Sequence, residues 1–354
     1  KNTLSGVDKQ VTDKPAPGSG QNITYTITTS IPKVDYPGGA RIKRYEVVDQ
    51  LDKRINKSTL APVVKIVSGQ QETVLADTTD YTLITAEGTK HNWATIQLTE
   101  EGRRKAAEAR HNGNGETKVQ VTLTATFDPK SVDLEGVLSN TAGLIPNDSP
   151  NFTWDPNNPG TTTDVPGIPT TPVLSKYGKV NLTKTGTDKL DDKTKYNGAQ
   201  FQVYECTKTA SGATLRDGDP STPTVDPLTI GGEKTFTTAG QGTVTINSLR
   251  ANDYVDGVKK DALTDEDYYC LVETKAPEGY TLQPDPIPFR VLATDAEAKV
   301  PTEVTVTDVP KNAGFRLPLT GANGVIFLTV AGALLVVGGA VIAYANKRRH
   351  AAKH

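Results

Sequence analysis

Over most of its length the chain alternates apolar and polar residues with a period of two. ITYTITTSI from Ile23, TKVQVTLTATF from Thr117 and TEVTVTDV from Thr302 each put Ile, Val, Tyr or Leu on one face and Thr or a charge on the other. That is the pattern of a strand with one face buried. Short runs of this kind, rich in β-branched residues and punctuated by Gly, Pro, Asn and Asp, predict antiparallel β-sandwiches, an all-β fold of immunoglobulin-like type. One segment departs from the pattern. LTEEGRRKAAEARHNG, residues 98–113, carries acids early, bases late and Gly113 as a stop, and predicts a single helix. A second departure is VIFLTVAGALLVVGGAVIAYA, residues 325–345, which holds no charge and as a helix of about 32 Å would cross a hydrocarbon core. Lys347, Arg348, Arg349 and Lys353 follow it and are expected to stay cytoplasmic, which leaves the rest of the chain outside.

Between residues 146 and 172 lie seven prolines, too many for the interior of a strand or helix. The boundary between two sandwiches is placed there: a first domain over 1–146, a stiff linker over 147–173, a second domain over 174–314 and a tail over 315–354. With 39 basic against 41 acidic residues in 354, and no basic stripe interleaved with aromatics, nucleic acid is not an expected partner. His91, His111, His350 and His354 are scattered and form neither a metal nor a triad pattern, and no Gly-rich phosphate loop follows a strand, so no metal or other cofactor is expected. EGRRKAAEAR reads as a solvated helix and not as an anion site. The chain contains no methionine and begins without a secretory signal, so a leader and an N-terminal domain are expected to have preceded Lys1. Two cysteines in an exported chain suggest one disulfide, Cys206 with Cys270, with two buried thiols as the alternative.

The alternation also aims polar residues inward. KVNLTK puts Lys184 on a face with Val180 and Leu182, DYYCLVE puts Glu273 with Tyr269 and Leu271, and VTVTD puts Asp308 with Val304 and Val306. In the first domain VDKQV puts Lys9 with Val7 and Val11, VLSNTAGL puts Asn140 with Leu138, Ala142 and Leu144, and YEVVDQL supplies Asp49. An amine and an acid aimed into a core need each other. The alternative is that each sits at a strand end in water.

Leu317, Pro318, Leu319, Thr320 and Gly321 spell LPLTG a few residues before the apolar run. Motif, apolar span and basic tail in that order resemble the LPxTG sorting signal of Gram-positive surface proteins. The resemblance implies that a sortase cysteine attacks the Thr320 carbonyl, that Gly321 leaves with the tail, and that an amine resolves the acyl-enzyme. Leu317 and Pro318 would be recognition elements. ETKAPEGY at 273–280, with GAQFQVYE at 198–205, is similar to the Cna B-type domain of pilins and wall-anchored adhesins. In that family a core lysine forms an intramolecular isopeptide bond, which would make Lys184 the nucleophile, Glu273 the catalytic acid and Asp308 the acceptor. Pilins of this kind more often have Asn at the last position, and Asn312 is the fallback acceptor. The first domain resembles the Cna A-like middle domain of sortase-assembled pilins, which implies a bond from Lys9 to Asn140 with Asp49 as catalyst and Glu46 or Asp52 as runners-up. Lys1 stands where the polymerisation lysine of such shafts is found, although the usual preceding Tyr-Pro is absent, and Lys176 and Lys179 are weaker candidates.

The whole resembles the major shaft subunits of sortase-assembled fimbriae, nearest to the type 2 subunits of Actinomyces. The expected function is that of a structural subunit at the cell surface, polymerised by sortase through Thr320 and a lysine of the neighbouring subunit, anchored to peptidoglycan and supporting adhesion. It is not expected to be an enzyme beyond forming its own internal bonds. The alternative is a monomeric wall-anchored adhesin that binds a host protein or glycan, or another bacterial surface.

Overall fold

The alternation seen in ITYTITTSI is realised residue by residue: Ile23, Tyr25, Ile27 and Thr29 are buried and the residues between them are half-exposed. The computed structural model describes residues 6–13, 22–38, 41–113, 116–126, 136–147, 153–216 and 225–311. Lys1, Asn312, the LPLTG motif at 317–321, the apolar run at 325–345 and the basic tail lie outside the described residues.

The first core is enclosed by two layers. One is an antiparallel sheet in the order β1 (Val7–Thr12), β2 (Asn22–Ser30), β8 (Lys118–Thr126), β4 (Ala61–Ser68) and β5 (Gln71–Val74). The other runs β6 (Tyr81–Glu87), β7 (Asn92–Leu98), β3 (Tyr45–Leu51) and β9 (Gly136–Pro146), and continues into β11 (Val173–Gly186) and β15 (Thr243–Arg250). Ile23, Ile27, Val121 and Leu123 from one layer meet Val47, Ile96 and Leu144 from the other. The predicted helix is α1 (Glu100–Asn112), whose N-cap Thr99 accepts from the Gly102 amide and whose stop is Gly113.

The second core lies between the far half of β11 with its partners β15 and β20 (Thr302–Asp308), and a sheet of β13 (Gly212–Leu215), β12 (Gln200–Thr209), β18 (Tyr268–Lys275) and β19 (Ile287–Phe289), with β14 (Phe236–Thr237) added to β12. A small hairpin of β16 (Tyr254–Val255) and β17 (Val258–Lys259), and a short helix α2 (Ala293–Ala298), fill the junction. The pairing of β11 with β20 is parallel, an exception to the antiparallel expectation. These are the first and last long strands of the second sandwich, so only tertiary folding brings them together.

The two sandwiches share a strand. Val173–Tyr177 pairs with Asn140–Gly136 of β9, and beyond an irregularity between Gly178 and Val180 the same strand enters the second sandwich. A side chain at Gly178 would meet Val291 Cγ1 at 2.7 Å, so the crossing point has room only for glycine. The Pro-rich segment lies along the first sandwich: β10 (Ile168–Pro169) pairs with β9, the Thr170 amide donates to the Ala142 carbonyl at 2.8 Å, and Trp154 packs on Trp93 with ring centroids 5.0 Å apart. Across the junction Asp13 and Asp256 exchange hydrogen bonds, each amide donating to the other's carboxylate at 2.9 Å.

Cys206 on β12 and Cys270 on the adjacent β18 are joined in a disulfide with Cα atoms 5.8 Å apart. Alkylation of the folded, unreduced protein is therefore expected to label neither cysteine. Reduction is expected to remove about 4 kcal/mol on the chain-entropy account of a loop of this size. Two labelled thiols without reductant would refute this.

Candidate functional site

In the second sandwich β11 and β20 run in parallel with Lys184 opposite Val306 and Gly186 opposite Asp308. The alternation then puts Lys184 and Asp308 on the same inward face, one strand apart. Glu273 arrives from β18 in the opposing sheet. The three are almost wholly removed from water, at 0%, 2% and 3% exposure. Lys184 Nζ is ion-paired with Asp308 Oδ1 and stands 3.4 Å from Glu273 Oε1. Glu273 Oε2 accepts a hydrogen bond of 2.7 Å from the backbone amide of Gln283, which leaves Oε1 directed at the lysine.

One amine and two carboxyls share this apolar enclosure. Burial raises the Glu273 carboxyl to about 7, against the pull of the Gln283 amide and Lys184, and the Asp308 carboxylate pushes it further up. Burial also raises Asp308, with Lys184 opposing. Ionising all three groups would leave an uncompensated negative charge in the core, so the carboxyl pair retains a proton at neutral pH. An amine held against one carboxyl, with a second carboxyl able to give and take a proton, is an arrangement for amide formation.

The first sandwich builds a looser version. β1 belongs to one sheet and packs across onto β9 and β11 of the other. Lys9 is buried and ion-paired with Asp49 of β3, and its amine stands 4.5 Å from the centre of the Tyr25 ring. Burial lowers the Lys9 pKa and raises that of Asp49, each opposed by the other's charge. Asn140 is 1% exposed, and neither atom of its carboxamide makes a hydrogen bond of ordinary geometry. Asp49 Oδ2 likewise makes no hydrogen bond of ordinary geometry, although the Asn140 carboxamide lies close enough to Asp49 and Tyr25 to draw both their pKa values down against the effect of burial. A buried carboxamide left without a hydrogen bond of ordinary geometry costs stability, so its retention in this core calls for a chemical reason.

Of the three acids considered for this site, the fold brings Asp49 to Lys9. Glu46 is held by Arg44 at 2.9 Å and by Gln97 at 2.8 Å, and Asp52 is held by the Arg54 guanidinium at 2.8 Å. Lys176 lies within β11, paired with Glu297 and 4.1 Å above the Tyr254 ring, and Lys179 lies in the same strand. Two contributors were not singled out from sequence. Tyr25 stands on the inward face of ITYTI and was legible by the same alternation; Gln283 acts through its backbone N–H, for which no side-chain signal exists.

Comparison with known proteins places both parts of the chain. Residues 309–352 match the model of the LPXTG cell wall anchor motif, and residues 178–309 match that of a prealbumin-like fold domain, which begins at the glycine where β11 crosses over. The chain is 86% identical over 354 residues to the fimbrial subunit type 1 of Actinomyces viscosus, and 32% identical over 359 residues to the fimbrial subunit type 2 of Actinomyces naeslundii. The likeness to a type 1 subunit thus exceeds that to a type 2 subunit, the kind expected from the sequence. These alignments take in 100% and 99% of the chain, which spans 66% and 62% of the two relatives' lengths. Among solved structures, the fimbrial protein FimP of Actinomyces oris aligns with a TM-score of 0.80 at 86% identity, over 86% of this chain and 68% of that one. The full-length major pilin SpaD of Corynebacterium diphtheriae aligns at 0.61 and 26% identity, over 87% of this chain and 66% of that one.

Proposed function

Since the chain belongs to the family of Gram-positive fimbrial subunits, we propose that it is a shaft subunit, polymerised by sortase and carried on the cell wall, whose two sandwiches each close an internal isopeptide bond. In the second sandwich the Lys184 amine attacks Asp308 Cγ. The new N–C bond replaces one C–O bond, Glu273 relays the proton from nitrogen to the departing oxygen, and water leaves. In the first, Lys9 attacks the Asn140 carboxamide with Asp49 as the relay, and ammonia leaves. Each centre reacts once, so the chain modifies itself and turns nothing over.

The observation that carries this reading is where the two centres sit: each joins the first and last long strands of its own sandwich. Tension entering near Lys1 would pass through Lys9 to Asn140, along the chain to Lys184, and through Asp308 toward Thr320. The bulk of both domains lies outside that covalent path and is spared from unfolding under load, which suits a filament and is of little use to a freely tethered monomer. Polymerisation then exchanges the Thr320–Gly321 amide for an amide to a lysine of the next subunit through an acyl-enzyme, with Lys1 as the proposed acceptor, and the last subunit is passed to peptidoglycan.

Wall extracts boiled in SDS and probed with an antibody against the subunit are expected to show a ladder of covalent multimers. A single wall-linked band of one subunit would overturn the shaft in favour of a monomeric adhesin.

A further inference from the structure

The loop over 276–283 touches the ends of all three strands that carry the second centre. Its Gln283 amide holds Glu273 Oε2 at 2.7 Å. Thr281 donates from its amide and from its hydroxyl to the Val309 carbonyl, both at 2.9 Å, and the Lys311 amide donates to the Gly279 carbonyl at 2.8 Å, so the residues just after Asp308 are clasped from both sides. Tyr280 closes the third side. Its hydroxyl donates to Asp188 Oδ2 at 2.6 Å, four residues beyond Lys184, and its ring stands edge-on to Tyr196 with centroids 5.5 Å apart.

Gly186 explains why the ring can sit there. It lies two residues after Lys184 and directly opposite Asp308 in the β11–β20 register. A Cβ on Gly186 would meet Tyr280 Cε1 at 2.6 Å and Asp188 Oδ1 at 2.3 Å, so the missing side chain is the space the tyrosine occupies. Tyr280 is buried at 6% exposure although it belongs to a loop, and a loop residue buried this deeply against the strand partner of Asp308 fixes that loop.

We propose that Tyr280 is a positioning residue for the second crosslink: seated on Gly186 and bonded to Asp188, it locks the 276–283 loop so that Glu273, Lys184 and Asp308 are held at reacting distance. The inference rests on the isopeptide reading of the preceding section and adds to it a part that does not itself react. Misplacement of reacting groups by an ångström costs up to about a hundredfold in rate, which sets the scale of the effect.

The test is the rate at which the uncrosslinked chain, isolated in denaturant and then refolded, loses the mass of one water, with samples acid-quenched over time and weighed intact. Gly186→Ala pushes the ring off its seat and is expected to slow that loss by about a hundredfold; Tyr280→Phe keeps the ring and loses the hydroxyl with its bond to Asp188, and about tenfold is expected. The pH profile separates positioning from simple stability. Glu273 is required in its protonated form, so the rate falls as pH rises through its pKa near 7. The Gln283 amide favours the carboxylate and holds that pKa down, while Lys184 and Asp308 face it in wild type and variants alike. Freeing the loop both admits water to a carboxyl raised chiefly by burial and removes the Gln283 bond that opposes it, so the alkaline limb is expected to move from its wild-type position. Loss of ammonia from the first sandwich and closure of the Cys206–Cys270 disulfide report that a variant has folded; should Gly186→Ala fail them, Tyr280→Phe decides. Wild-type rate and an unmoved limb in a folded variant, whatever its melting temperature, would overturn the role of Tyr280. A wild-type chain that never loses water would overturn the crosslink itself.

Discussion

Weighed intact after reduction, the folded chain is expected to fall short of its sequence mass by about 17 Da for the Lys9–Asn140 bond and about 18 Da for the Lys184–Asp308 bond. Glu273→Ala is expected to restore only the second loss, since that carboxyl reaches Lys184 and not Lys9, and Asp49→Ala only the first. The effect on stability should be large. Each bond closes a loop of roughly 120–130 residues, which on the chain-entropy account contributes about 5 kcal/mol. For a sandwich of this size that corresponds to a fall in melting temperature on the order of 15 °C. Glu273→Ala has a further cost, because Lys184 then remains as a fully buried amine with a single carboxylate. Protease sensitivity should rise in the sandwich that carries the substitution and not in its neighbour. An intact mass equal to that of the sequence would mean that the buried lysines are ordinary ion pairs and that neither bond forms.

The inward position of these residues is legible because each sits within a run long enough for the period of two to identify its inward face. Lys184 follows Val180 and Leu182, Asp308 follows Val304 and Val306, Glu273 follows Tyr269 and Leu271, and all three runs keep parity in the fold. What was not legible arises where parity breaks. In β11 the buried side chains are those of Ser175 and Tyr177 before the crossing, then Val180, Leu182 and Lys184 after it. The irregularity at Gly178 shifts the phase by one, so a single alternating frame cannot show that one strand serves two sandwiches. The Pro-rich segment was read as a stiff connector from its composition, but its docking depends on Trp154 meeting Trp93, a contact between distant residues that composition does not encode. The short helix α2 spans only Ala293–Ala298, too few residues to display a period of 3.6. The identity of the acid beside Lys9 was narrowed to three by sequence and decided by register: Asp49 lies opposite Ala142, two residues from Asn140 on β9, whereas the carboxylates of Glu46 and Asp52 are engaged by arginines.

The second large effect concerns the end of the chain. Digestion of wall-released polymer is expected to yield no peptide from residues 321–354, and a branched peptide in which the Thr320 carboxyl is joined to a lysine amine. The reason lies in the chemistry of the signal. On the proposed function a sortase thiolate displaces the Gly321 amine from the Thr320 carbonyl, so the apolar run and basic tail would part from the subunit as the thioester forms, and the incoming amine would then expel the thiol. On the same reading the apolar run at 325–345 would hold the carbonyl at the membrane until that step. Replacement of Thr320 by alanine should abolish the SDS-resistant ladder and leave the full-length chain in the membrane fraction. The lysine in the branch discriminates among acceptors. Lys1 is expected; Lys176 is disfavoured, because its amine is paired with Glu297 and covered by Tyr254, with a side-chain exposure of 12%. A branch that carries only a peptidoglycan stem peptide, with no lysine of a second subunit in any fragment, would leave the chain anchored but unpolymerised. Recovery of residues 325–345 from the wall-released polymer would refute cleavage at Thr320 altogether.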